Sequence, residues 1–407
     1  MKRIVLSVAA CMLLAQPVFA GGFFIGEQGA RAEGMGGAFT GLADDPSALW
    51  FNPAGIAFQE GISGTAGFDV LMPTNKFTPA TGVTYTANKK TFVTPQGYLV
   101  YNTDALPVAL GLGINTPFGL STDWRNTGAP FTATGTPALF PATVTFSQIE
   151  MLNFNPSVAY RINDKLSIAV GATYYYVNKV HLDNQILLLG GNGDGWGGNV
   201  AVMYKDGPVG FGVSYRSRVK AKINGTAIGA GPLAAAGSTS ASTSVTFPDM
   251  VNVGLSYRLS DAWLLSADVD WVNWKTFDKI TVNYVPSTLT GALGATTSTI
   301  PENWKATTSF RLGAEWDFAA NMRARVGYVY DPSPINAVDF SPRLPGNDRQ
   351  LFNIGYGYDL GKKTTIDLAY SYVLLNNRNQ TASAAPFYNG TYKSDVHIVA
   401  ASLTHHF

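Results

Sequence analysis

The stretch "LSIAVGATYYYVNKV", residues 166–180, decides the fold. Its even positions, Leu166, Ile168, Val170, Ala172, Tyr174 and Tyr176, form an apolar row that ends in tyrosine. Its odd positions include Ser167, Gly171, Thr173 and Lys179. A period of two is the signature of a strand with two different faces. An apolar face of about ten residues capped by aromatics suits a tilted strand crossing a bilayer, with the polar face turned to a wet lumen. A soluble sandwich also alternates, but it has no reason to finish its apolar faces with so many rings.

The pattern recurs. Val209, Phe211, Val213 and Tyr215 share a face; so do Trp263, Leu265, Ala267 and Val269. Phe310 to Trp316, Ala324 to Tyr330 and Ile366 to Tyr372 repeat it. Fourteen such strands are expected, the first near 62–72, the third near 107–117 and the last at 396–407. Short turns such as 161–165, 205–208 and 258–262 alternate with long loops such as 118–146, 275–303 and 331–349. An even strand count with short turns at one end and long loops at the other defines an all-β, 14-stranded antiparallel transmembrane β-barrel. The terminal row Val399, Ala401, Leu403 and Phe407 fits closure of that barrel, because an open edge cannot sit in lipid.

Composition agrees. Of 407 residues 46% are hydrophobic and 14% charged, and the net charge is +1, so no basic surface invites nucleic acid. No run of about eighteen apolar residues provides a membrane helix. Lys2 and Arg3, the apolar Ile4–Leu14 and Val18-Phe19-Ala20 read as a signal peptide over residues 1–20, cut before Gly21. The single cysteine, Cys11, falls within it, so the exported chain is expected to carry no disulfide. The protein is accordingly expected in the outer membrane of a Gram-negative cell, in contact with its lipid and lipopolysaccharide, and a monomer is expected, although the sequence itself does not name the oligomeric state.

Residues 21–60 precede the strands and do not alternate. In "DDPSALWFNPAG", Asp44–Gly55, Asp45 and Pro46 suit a helix start, and Pro53 forces Asn52 out of helical geometry. This segment is expected to plug the lumen of the 61–407 barrel with short helical turns. Strand three meets Pro117 and Gly119 early, which predicts broken pairing at that point in the wall.

Parity directs Lys179, Lys305, Arg311, Arg323 and Arg325 inward, together with Asp268, Asp270, Glu315, Asp331 and Asp367. Such a set reads first as an ion-pair network between plug and wall. With His181, His397, His405 and His406 the only histidines, no catalytic triad assembles and no metal or cofactor site is expected, so the chain does not read as an enzyme. The run "GGNGDGWGGN", residues 190–199, reads as a turn into a strand starting at Trp196, and residues 229–244 as a flexible outer loop.

The segments "GGFF" after Ala20, "GMGGAFTGLADDPSALWFNPAG", "FPDMVNVGLSYRLSDAWLLSADVDWVNW" and "GYVYDPSPINAVDFSPRLPGNDR" resemble the FadL/TodX family of outer-membrane transporters for long-chain fatty acids and other hydrophobic compounds. The resemblance implies passive uptake of a hydrophobic small molecule. It implies a hatch at Asp44, Asp45, Asn52, Pro53 and Ala54 and a pocket lined by Phe23. It also implies lateral exit at a wall gap around Asn115, Pro117, Phe118 and Gly119. Asp331 matches a pocket acid of the family, while Lys179, Lys305 and Arg325 are the candidate cations for a ligand headgroup. An aromatic hydrocarbon channel and a structural or adhesive barrel are the alternatives.

Overall fold

The structure, a computed structural model, describes residues 21–103, 106–132 and 144–407. The expected signal segment and Cys11 lie outside the described residues. The wall is built from β1 (Gly61–Thr78), β2 (Phe92–Asn102), β3 (Val108–Asn115, resuming as Leu120–Asp123), β4 (Phe146–Arg161), β5 (Leu166–Asp183) and β6 (Leu187–Asp206). It continues through β7 (Val209–Arg216 and Val219–Gly229), β8 (Ser238–Phe247 and Met250–Arg258), β9 (Trp263–Val272 and Lys279–Tyr284) and β10 (Thr297–Pro301 and Thr307–Ala319). It ends with β11 (Met322–Asp331), β12 (Arg349–Leu360), β13 (Thr364–Leu375) and β14 (Gly390–His406). Every pairing is antiparallel, and β14 returns to β1 from Ser63↔His406 to Thr78↔Thr391, closing fourteen strands into a barrel.

The alternation survives as two surfaces. Val170, Val326 and Ile354 point out, between 57% and 59% exposed, as a lipid-facing wall requires. Their neighbours point into the lumen, where residues 21–60 fill the space. That plug carries α1 (Ala30–Gly34), α2 (Ala48–Phe51) and a 3-10 turn at Pro53–Phe58. Asp45 opens the second turn: its carboxylate accepts from Ser47 N at 2.8 Å and its carbonyl from Ala48 N. Asn52 is extended (φ −155°), as the following proline demands.

Two expectations fail. Residues 190–199 are not a turn but the middle of one continuous β6. The glycines at this contact let two backbones meet: a side chain on Gly193 would collide with the Lys222 carbonyl of β7, and one on Gly225 of β7 with the Gly190 carbonyl. Residues 229–244 are likewise a hairpin rather than a loose loop, with a 3-10 turn at Gly231–Ala236 and full register between β7 and β8.

One seam is incomplete. β2 pairs with β3 from Gly97↔Ile114 to Asn102↔Ala109. Among the described residues its outer half, 92–96, pairs with β1 alone, while β3 after its break pairs with β4 alone.

Candidate functional site

At that seam the chain turns inward. Residues 116–119 leave the wall and pair with the start of the plug. Ile25 N donates to Pro117 O at 2.9 Å, Gly119 N to Phe23 O at 3.0 Å, and Gln28 Nε2 to Thr116 O at 3.0 Å. Pro117 has no N–H to leave orphaned, and Gly119 has no room for a side chain: a Cβ would lie 2.8 Å from Ile25 Cδ1. Asn115 Oδ1 accepts from Asn153 Nδ2 at 2.7 Å, fixing the last paired residue before the break. The bonds that would have closed β3 onto β2 are made with the N-terminal segment instead.

The space left behind is a cavity of about 530 Å³. It runs from residues 21–25 in the lumen, past Thr116 and residues 119–122, to Phe92, Val93 and Val396 on the outer wall. A second, apolar cavity of about 120 Å³ lies among the outer ends of β4 to β10. The two share Phe23, Leu120, Ile149, Ile335 and Leu344 as lining. Phe23 is the ring between them. It meets Trp274 at 4.9 Å, Phe277 at 5.4 Å, Trp304 at 5.7 Å, Phe118 at 5.9 Å and Phe247 at 6.2 Å, mostly edge to face. Each such contact is worth about 1 kcal/mol beyond burial and none is directional enough to lock the ring in place.

The small cavity holds two charged groups in apolar surroundings. Glu302 accepts from Trp304 Nε1 at 3.1 Å; burial pushes its carboxyl up to about 7, with the Arg343 guanidinium pulling the other way. Arg343 is 7% exposed, and its one side-chain hydrogen bond among the described residues runs from Nη1 to Ser341 Oγ at 3.4 Å. Its Nε and Ser147 Oγ are both buried without a partner. A buried polar atom left unpaired costs about 1–3 kcal/mol, which a ligand's polar end would offset.

Below this level the lumen is different in kind. Arg325, fully buried, bonds Glu315 and Asp367 at 2.6 Å each. Arg31 of the plug reaches Asp44 at 2.6 Å and Glu315 at 3.2 Å. Asp268 Oδ2 accepts from Phe39 N and Thr40 N at 3.0 and 2.7 Å, and Arg311 bonds Asp270 and donates to Gly36 O. Asn52 Nδ2 donates to Thr40 O at 3.1 Å and Val202 O at 3.0 Å, while its Oδ1 accepts from Ala54 N. Ser167 Oγ donates to Ala54 O at 2.7 Å, and Pro53 opens the 3-10 turn between them.

The expected site residues therefore separate. Phe23 and Gly119 line the cavities, and Phe118 packs behind Phe23. Asp331 is close by, bonded at 2.7 Å to Arg349, whose Nη2 donates to Phe24 O at 3.2 Å; Gly21 packs against both side chains. Arg325 and Asp44, Asp45, Asn52, Pro53 and Ala54 belong to the polar level. Lys179 does not point inward. A bulge between Val177 and Val180 reverses the parity of β5, and Lys179 lies half exposed beside Glu150 at 3.7 Å. Lys305 follows Trp304, its N–H donating to Pro334 O at 3.0 Å, and lines neither cavity. Sequence reasoning missed Glu302 and Arg343. Both sit outside the strands, where parity says nothing; the prolines at 342 and 345 that bracket Arg343 were the only local sign of a fixed loop.

Residues 11–407 match the family described as outer membrane protein transport protein (OMPP1/FadL/TodX). A putative outer membrane protein of Neisseria meningitidis is 23% identical over 95% of this chain and 92% of its own length. The long-chain fatty acid transport protein of Escherichia coli K12 is 23% identical over 90% and 91%. Among solved structures, a Pseudomonas aeruginosa FadL homologue superposes with TM-score 0.78 at 18% identity, covering 95% of this chain and all of that one. The toluene transporter TodX of P. putida gives 0.68 at 18%, covering 93% and 98%.

Proposed function

Since the chain belongs to the OMPP1/FadL/TodX family of outer-membrane transport proteins, we propose that it takes up long-chain fatty acids or similar amphiphiles by passive diffusion through the two cavities and out sideways at the β2–β3 seam. The observation that carries this reading is the meeting of both cavities at Phe23, with one of them reaching the lipid-facing wall through residues 116–122. The ligand enters the small cavity tail-deep, its burial contributing about 25 cal/mol per Å². Arg343 Nε and Ser147 Oγ receive its carboxylate end. Displacement of Phe23 opens the larger cavity, and the ligand leaves into the membrane rather than through the periplasmic end, which the plug blocks.

Residues 21–60 act as the hatch once the signal peptide is removed before Gly21, and the protein works as a single barrel. A second reading is favoured by the ring cage itself: Phe23, Phe277, Trp274 and Trp304 would hold a monoaromatic hydrocarbon with no need of Arg343. Uptake of labelled oleate and of labelled toluene in a transporter-deficient strain separates them. Oleate uptake that falls several-fold in Arg343→Gln supports the first reading. Toluene uptake indifferent to that change, without oleate uptake, replaces it with the second.

A further inference from the structure

The outer face above the membrane has an ordered chemistry that transport does not use. On β6 the outward side chains run Val202, Val200, Trp196, Asp194, Asn192 from the periplasmic end upward. Trp196 is 67% exposed and packs against Tyr174 with ring centroids 4.6 Å apart and the planes tilted. With Tyr174, its partner across the strands, it marks the aromatic belt where hydrocarbon ends. Immediately above, β7 presents Lys220, Lys222 and Asn224 outward while Val219, Ala221 and Ile223 face in. Register places Lys222 opposite Asp194 on one side and Ser244 on the other; Lys220 is opposite Thr246, and Asn224 lies between Asn192 and Ser242. The two lysines are about 7 Å apart along the strand. Neither forms an ion pair among the described residues, although their neighbours do: Arg218 bonds Asp249 at 3.2 Å and Lys179 bonds Glu150 at 3.7 Å.

We infer that Lys220 and Lys222, flanked by Trp196 below and by Asn192, Asn224 and Ser242 above, form a binding site for the phosphorylated glycolipid of the outer leaflet. The sequence of groups matches that lipid from its chains outward. Val200 and Val202 meet acyl chains, and Trp196 meets the chain–headgroup boundary. The lysines take a sugar phosphate, and the amides and hydroxyl take sugar hydroxyls. Asp194 faces one lysine but leaves the patch net positive, and its carboxylate accepts from a sugar hydroxyl. Unpaired lysines at a lipid surface gain most from a fixed anion at headgroup depth. The inference uses the outer-membrane location and does not depend on which substrate is carried.

The test is native mass spectrometry of the full mature barrel in detergent, titrated separately with purified lipid A, enzymatically dephosphorylated lipid A and phosphatidylglycerol. Wild type is expected to bind lipid A at least about tenfold more tightly than either of the others. The double change Lys220→Gln and Lys222→Gln is expected to remove that preference, and Lys220→Arg with Lys222→Arg to keep it. Heat-modifiable migration confirms that each variant is folded, and unchanged uptake of hydrophobic substrate separates this site from the conduit. Equal binding of lipid A by wild type and the Gln variant overturns the inference. So does equal affinity for dephosphorylated lipid A, which removes the phosphate, or for phosphatidylglycerol, which reduces the patch to a general anionic surface.

Discussion

The lumen has two levels built from opposite materials. The lower level is held by Arg31, Arg311, Arg325 and their carboxylates, with backbone N–H groups of the plug aimed at Asp268. The upper level is held by ring edges around Phe23 and by three backbone or amide bonds to the turned-in residues 116–119. Breaking a buried ion pair leaves an uncompensated charge, so the lower level resists movement. Ring contacts are non-directional and can be exchanged for a ligand's apolar surface at little cost. The proposed hatch, which must stay in the barrel while its tip yields, needs both. The same comparison disfavours a purely structural barrel, whose lumen would have paired charge throughout.

The largest effect is expected where the lower level is cut. Arg325→Met removes the cation between Glu315 and Asp367 and should cost about 3–5 kcal/mol, read as a lower thermal midpoint of the heat-modifiable band. An unchanged midpoint would mean that the charged level is not what fixes the plug. Asn52→Ala removes one bond from the plug turn to the wall and two within the plug, leaving Val202 O and Thr40 O short of a donor. It should lower uptake several-fold while the barrel stays folded, since only the hatch corner is loosened. Pro117→Ala restores an N–H at the seam and should reduce uptake by a smaller factor, measured by the same assay.

The smallest effect concerns Glu302. Its carboxyl is raised to about 7 from an ordinary value of 4.5, because burial disfavours the charged form. A raised acid contributes stability that is fully present below 4.5 and is lost as the pH rises to about 7. Hydrogen exchange around Trp304 should therefore quicken between those values, and Glu302→Gln should flatten the profile. A wild-type profile as flat as that of Glu302→Gln would separate the acid from the loop's stability.

The wall was legible in the sequence because lipid imposes a strict period of two, and the apolar rows at Leu166–Tyr176 and Ala324–Tyr330 record it directly. The hatch corner was legible because Pro46 and Pro53 restrict their neighbours locally. Lys179 was misplaced because one extra residue in a strand reverses every side chain beyond it, and nothing in "YYYVNKV" marks a bulge. The glycines of β6 looked like a turn because their reason, the β7 backbone pressed against them, lies some thirty residues away in the chain. Arg343 and Glu302 were invisible for the same cause: their burial is decided by loops folding over the lumen and not by their own neighbours. The break at Pro117 could be read, but its partner could not. That the N-terminal residues Phe23 to Ile25 supply the missing pairing is visible only in three dimensions.

The most direct test of the account is to close the seam. The chain's single cysteine, Cys11, lies in the proposed signal segment and is kept out of the test by Cys11→Ser, so Thr94→Cys with Thr122→Cys places a unique thiol pair at the two lips of the larger cavity. Joined by a short reducible bis-thiosulfonate spacer in whole cells, the double variant should lose uptake of hydrophobic substrate and regain it on reduction, while each single variant transports throughout. Uptake that continues at the wild-type rate with the lips joined would contradict lateral exit through β2 and β3.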